Sequence, residues 1–283
     1  EGEVLYKGKI TKAADALKKE KLQTVILFGK DALSIVSSNA YSAGMTVIAM
    51  GDMEQLIKVA KLVYLSSLEA FNGNIAPFSA EAAQLRPFPS FVSTAAELRG
   101  MLRGSYLWED HSQRALQDPL SLRDSAYYIA ALEQSFQELD TLLRIQLNSS
   151  DDNPGVLTTG RTSSTNHQET KLYVQGGGAV VPNANFEPVI WVLALEKLSL
   201  TVGANSAVAT QRTIRLSEDY FTHLSRFLGT DKTVHAFGAM QKPFTALNAE
   251  NVYLSNPVML LSVPVAGNIE DVATNAPLAA VKL

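Results

Sequence analysis

The sequence predicts a mainly α-helical protein built as a bundle of long helices, and three observations carry that expectation. From Asp124 onward, Leu132, Phe136, Leu139 and Leu143 recur at spacings of four, three and four, with Glu133, Gln137 and Asp140 between them. That pattern lines one face of a helix. A second long apolar segment runs from about Pro188 to about Arg215. No regular alternation of strand and helix patterns appears, so a doubly wound sheet is not expected.

Taken in chain order, the elements follow from local chemistry. Val4-Leu5-Tyr6 ahead of Lys7-Gly8-Lys9 fits a small hairpin. Helical periodicity then covers roughly Lys30 to Phe71, with shorter helices near Ala80 and Thr94. Loop punctuation falls at Phe71-Asn72-Gly73-Asn74 and at Arg86-Pro87-Phe88-Pro89. The helix after Asp124 gives way to the longest irregular region, Asn148 to Asn185, and irregular stretches of that size are often functional. Inside it, Leu172 to Val181 fits a second hairpin around Gly176-Gly177-Gly178. The next helix opens near Pro188, a residue suited to a first turn, and carries Gly203 at a cost of about 1 kcal/mol relative to alanine. The stretch from Phe237 to Leu261 reads as helical in part, with Pro243 and Pro257 limiting its continuity. The chain contains no internal repeat and reads as one helical region over residues 1–283.

Composition narrows the function classes. The 283 residues are 46% hydrophobic and 18% charged, the balance of a folded globular chain with ample material for a core. A net charge of −4 supplies no global field that attracts nucleic acid or anionic lipid. There is no cysteine, hence no disulfide framework and no thiolate metal site; that is compatible with a cytoplasmic protein. The longest apolar run, Val189 to Ala209, has Glu196 and Lys197 near its centre, which favours a buried helix over a membrane span. The start, Glu1-Gly2-Glu3, is neither a signal peptide nor a natural initiation site, and the chain reads as an internal fragment of a longer protein or as one whose earlier residues are cleaved or missing.

Generic catalytic patterns are sparse. Gly176-Gly177-Gly178 lacks the residues of a P-loop and the spacing of a dinucleotide fingerprint, so it reads as a turn. His111, His167, His223 and His235 never share a helical turn with a glutamate, so no zinc motif forms. No Gly-x-Ser-x-Gly elbow occurs.

Four segments together carry a family resemblance. They are Gln117-Asp118-Pro119-Leu120-Ser121-Leu122-Arg123 ahead of a long helix, Asn148-Ser149-Ser150-Asp151-Asp152-Asn153-Pro154, Asn183-Ala184-Asn185-Phe186-Glu187-Pro188-Val189 opening another helix, and Val263-Pro264-Val265-Ala266-Gly267-Asn268-Ile269-Glu270-Asp271. Weaker echoes occur at Lys30-Asp31-Ala32-Leu33 and Pro77-Phe78. In order and spacing these resemble the ammonia-lyases of the histidine and phenylalanine type, whose fold is the long-helix bundle of the fumarase and aspartase kind. The resemblance implies removal of ammonia from, or amino-group migration on, an aromatic or related amino acid. It also implies a 4-methylidene-imidazol-5-one (MIO) electrophile formed from Ala-Ser-Gly, and a homotetramer whose sites draw on several subunits.

Carried over position by position, the resemblance makes Arg123 the carboxylate-binding residue, a role suited to a planar guanidinium that engages both oxygens. Gln117 and Asn153 become polar neighbours in the site, and Glu270 the catalytic carboxylate near the amine. The departures are equally specific. Ala-Ser-Gly occurs nowhere in the chain; the resemblance would place it, and a lid tyrosine, ahead of Glu1. The site tyrosine is Leu120, which has no hydroxyl. The asparagine that orients the electrophile becomes Ser37, and the phenylalanine becomes Ala184 unless Phe186 takes its place. The glutamine before the Glu-Asp pair is Ile269. Two readings follow: a divergent ammonia-lyase or aminomutase, or a catalytically inactive homologue serving as a binding or scaffold protein. An unrelated helical interaction protein would require four ordered matches by coincidence. The isolated chain is expected to be inactive, and the near-continuous apolar run Val189–Leu200 suggests burial on several sides, hence an oligomer.

Overall fold

The computed structural model describes residues 2–157, 173–174, 178–261, 266–267 and 269–283. By its internal contacts the chain divides into two compact units, Glu1–Ser38 and Asn39–Leu283.

In the first unit, β1 (Glu3–Tyr6) and β2 (Lys9–Lys12) form the expected antiparallel hairpin, pairing Tyr6 with Lys9 and Glu3 with Lys12. Lys7 and Gly8 have φ of 50° and 80°, the two positive values that a two-residue hairpin turn needs to match strand twist. Helix α1 (Ala13–Lys19) follows, then α2 (Asp31–Val36).

The second unit holds the long helices: α3 (Ala40–Ala70), α4 (Ala80–Leu85), α5 (Pro89–Met101), α6 (Leu120–Arg123), α7 (Ser125–Leu147), α8 (Val189–Leu216), α9 (Asp219–Thr222), α10 (Gln241–Leu254) and α11 (Ala276–Lys282). The expected helix from Lys30 to Phe71 is therefore interrupted. Its second part starts at Ala40 because the Asn39 backbone N–H donates to Asp151 Oδ2 at 2.8 Å and the Asn39 side chain donates to the Phe186 carbonyl at 2.9 Å. These tertiary bonds fix the start of α3. Pro243 limits nothing: it is the third residue of α10, among the first-turn positions whose N–H groups lack helical partners.

Cross-helix bonds set the directions. Lys197 pairs with Glu138, the Asn205 amide donates to the Tyr128 carbonyl at 2.9 Å, and Arg212 Nη1 donates to Ser125 Oγ at 2.5 Å, so α8 runs antiparallel to α7. Asn39 with Asp151 and Lys61 with Glu133 make α3 antiparallel to α7 as well. Two apolar clusters fill the space between these helices. One contains the expected Leu132, Leu139 and Leu143 with Met50, Ile57, Trp191 and Leu195, and Phe136 packs against it. The other joins Tyr64, Leu68, Phe78, Phe91, Leu98, Leu122 and Ile129.

Two charged groups within this packing have polar partners. Glu196 is 5% exposed, and its Oε1 accepts the Val258 N–H at 2.7 Å. Lys61, also 5% exposed, joins Glu97 on α5 at 2.6 Å and Glu133 on α7. Burial alone would lower the Lys61 pKa, but the bonds to Glu133 and Glu97 outweigh it and raise the pKa. In the irregular region, β4 (Tyr173–Val174) and β5 (Gly178–Val181) form the expected hairpin, and β3 (Gly155–Leu157) adds to β5. Of Gly176-Gly177-Gly178, the first two residues lie outside the described ones. A short pair, β6 (Leu260–Leu261) with β7 (Ala273–Thr274), follows α10. No described helix is long and apolar enough to cross a membrane.

Candidate functional site

The Gln117–Arg123 segment is held at the start of α7. The turn after α3 closes over Asp118: the Asn74 N–H donates to Asp118 Oδ2 at 2.6 Å, and the Asn74 amide donates to the Leu116 carbonyl at 3.0 Å. Gly73 permits this closure, since a Cβ there would lie 2.4 Å from Leu68 Cδ1 and 3.1 Å from Asp118 Oδ2. Burial raises the Asp118 pKa, against the opposing pull of the Asn74 N–H, Arg114 and Arg123. Asp118 has no role in the site expected from the sequence, yet its place inside the first motif lets it tie this segment to the turn after α3. Pro119 then precedes α6, Leu122 anchors it with no exposure, and Arg123 ends it. The Arg123 side chain is 32% exposed, with its Nε 3.7 Å from Asp124 Oδ1, too long for a hydrogen bond. Gln117 and Leu120 are exposed.

The other motifs meet at the far end of α7. The Asn183 N–H donates to Asn153 Oδ1 at 2.9 Å, and the Asn183 amide donates to the Asp152 carbonyl at 3.1 Å. Asp151 Oδ2 accepts from Asn39 and, at 3.0 Å, from Gln146. Asn153 thus braces the junction between two motif segments. Glu187 Oε1 accepts the Val189 N–H at 3.0 Å and the Thr274 hydroxyl, tying the start of α8 to β7. Ala184, Phe186, Val189, Leu260, Val272 and Ala273 line an apolar cleft of about 610 Å³ there. Glu270 lies three residues ahead of β7 and is exposed, and Ile269 is 84% exposed. Residues 262–265 and 268 of the fourth motif lie outside the described residues. Ser37 belongs to the first unit, where its N–H donates to the Leu33 carbonyl at 2.7 Å at the end of α2.

The structure therefore separates the candidates into two groups. Gln117, Leu120 and Arg123 stand at the N-terminal end of α7, and Asn153 and Ala184 stand beyond its C-terminal end with the Glu270 segment near β7. Twenty-three helical residues lie between them, about 35 Å at 1.5 Å per residue.

This fold and these motifs match known proteins along the full chain. The family model described as aromatic amino acid lyase covers residues 1–283. The chain belongs to the aromatic amino acid lyase family. A histidine ammonia-lyase of Chloroflexus aurantiacus is 30% identical over 287 aligned residues, covering 100% of this chain and 52% of that protein. Among solved structures, the ergothioneine-degrading enzyme ergothionase of Treponema denticola superposes with a TM-score of 0.84 at 31% identity, covering 99% of this chain and 53% of that one. A tyrosine aminomutase of Streptomyces globisporus also gives a TM-score of 0.84, at 25% identity, covering 100% of this chain and 54% of that one. The chain thus spans about half the length of the family members it matches.

The MIO group that membership implies is poorly suited to these side chains. Leu120 and Ile269 are exposed and apolar, and Ala184 lines an apolar cleft. None of these three side chains offers a hydrogen bond, so these three positions do not fit the group.

Proposed function

We propose that the intact parent of this chain is a carbon–nitrogen lyase or aminomutase acting on an amino acid with an aromatic or related side chain. In this reading Arg123 binds the carboxylate, Gln117 and Asn153 are polar neighbours in the site, and Glu270 is the catalytic carboxylate near the amine. The observation that carries the reading is the separation of Arg123 from the Asn153 and Glu270 segments by the length of α7. No single copy can close both groups around one small substrate, so the site is composite, and a homotetramer supplies the copies. Exposed Ile48, Leu62, Ile190 and Leu193 on α3 and α8 offer the apolar surface for such an assembly. Among the described residues, the ion pair of Arg123 is the long one with Asp124, and no hydrogen bond occupies its planar fork, which can take a carboxylate.

Subunit complementation in the full-length parent tests this. Arg123→Ala and Glu270→Gln should each abolish turnover as homo-oligomers. Hybrids formed by co-expression should regain part of it, because some sites then pair an intact Arg123 with an intact Glu270. Hybrids verified as mixed by native mass spectrometry yet lacking turnover would refute the composite site.

The misfit of Leu120, Ala184 and Ile269 to MIO favours a second reading, in which the leaving amine needs no electrophile and no step runs through the group. A quaternary ammonium departs as a neutral tertiary amine when the β-proton is removed and the carbon–nitrogen electron pair leaves with nitrogen. Ergothioneine, the compound that the Treponema enzyme degrades, carries a trimethylammonium group. Release of trimethylamine from ergothioneine, with no ammonia from histidine, phenylalanine or tyrosine, would select this reading. Ligand binding with neither product would select the inactive homologue.

A further inference from the structure

Arg212 lies in the last turns of α8 at 6% exposure, and among the described residues it has no carboxylate partner. An unpaired buried guanidinium carries a large desolvation cost. Burial lowers its pKa to about 10, partly opposed by Tyr64, so it is charged at neutral pH. Its contacts are few and directional. The guanidinium carbon stands 5.5 Å from the centre of the buried Tyr64 ring, and Nε finds no acceptor among the described residues. Nη1 donates to Ser125 Oγ at 2.5 Å. Ser125, itself 1% exposed, uses its hydroxyl proton to donate to the Ser121 carbonyl at 2.7 Å.

This relay spans the α6–α7 junction. Ser121 lies in α6, Ser125 opens α7, and Arg123 sits between them with its side chain turned partly to solvent. Arg212 polarises the Ser125 hydroxyl, which strengthens the bond to Ser121 and closes the turn that presents Arg123.

We propose that Arg212 is a positioning residue for carboxylate recognition, acting through Ser125 on the backbone that orients Arg123. The proposal rests on the reading that Arg123 binds the carboxylate. A buried guanidinium relay of this kind fixes the backbone from which the Arg123 side chain departs, a starting geometry that a bidentate pair requires.

The test is calorimetric titration of the full-length parent with trans-cinnamate and trans-urocanate, each beside its primary amide, which lacks the anionic carboxylate. Arg212→Met should weaken the acids about tenfold, the effect of losing one hydrogen bond to a charged group, and leave the amides within about twofold. Ser125→Ala, a smaller change that keeps the cation, should act in the same direction. The double variant should be no weaker than the weaker single variant, since both interrupt one relay. Ser125→Thr should retain acid affinity, and Arg212→Lys should recover part of it.

A lowered melting temperature with unchanged acid affinity in Arg212→Met, or in Ser125→Ala should Arg212→Met not fold, overturns the inference. Equal losses for acid and amide do the same. If Arg123→Ala weakens the acids while the relay variants do not, the carboxylate reading stands and the inference alone fails. If Arg123→Ala leaves acid affinity unchanged, or neither acid binds the wild-type parent, both fail.

Discussion

Replacing Gly203 by alanine sets two opposing effects against each other at one position. In a helix interior, alanine is better than glycine by about 1 kcal/mol, so local propensity predicts stabilisation. In α8, however, the added Cβ would lie 2.5 Å from Ser255 Oγ, 2.8 Å from Ser255 Cβ and 3.6 Å from the Asn251 carbonyl oxygen. The hydroxyl can rotate away. The Ser255 Cβ is fixed to the backbone at the end of α10, so the two helices must move apart. Overpacking of this kind costs about 1–3 kcal/mol, and the difference predicts a net loss of about 1 kcal/mol. Ser255→Ala should rescue little, because its Cβ remains. Ser255→Gly removes both close atoms, and the Gly203→Ala/Ser255→Gly double variant should be about 2 kcal/mol more stable than the same pair of changes summed separately, the full overpacking relieved. Urea unfolding followed by circular dichroism, with the denaturant slope unchanged, reads these differences. A raised midpoint for Gly203→Ala alone would refute the steric argument.

Other predictions concern the polar groups inside the packing. Lys61→Met removes the cation shared by Glu97 and Glu133 and should cost about 3 kcal/mol, toward the low end for a broken buried pair because the Glu97 side chain is half exposed. Since the folded pKa of Lys61 is raised above 10.5, its stabilisation is fully present below that pH and is lost as pH rises through the folded value. Wild-type stability should therefore fall above about pH 10.5 by more than that of Lys61→Met, as measured by thermal melts across that range. Glu196→Leu should cost about 1–3 kcal/mol by leaving the Val258 N–H without its acceptor. Glu196→Gln retains an acceptor oxygen and should cost less than half as much in the same melts; equal losses would show that Val258 does not depend on that oxygen.

Much of the fold was legible because its signals are local. The burial of Leu132, Leu139 and Leu143 follows from helical spacing alone, and the Lys7-Gly8 hairpin follows from one turn. The four motifs identified the family because their order and spacing survive even where Leu120, Ala184 and Ile269 have changed. Other features were decided by partners distant in sequence. The start of α3 depends on Asp151, and the burial of Glu196 depends on Val258. Gly203 reads as a defect until α10 is placed against it, and Arg212 carries no motif until Ser125 lies 2.5 Å away. The candidate site shows the same division. Its residue types were written in the sequence, whereas their division between the two ends of α7 was not. Periodicity specifies which face of a helix is buried, but the direction in which helices pair, and therefore which motifs meet, is fixed only when side chains from separate elements satisfy one another.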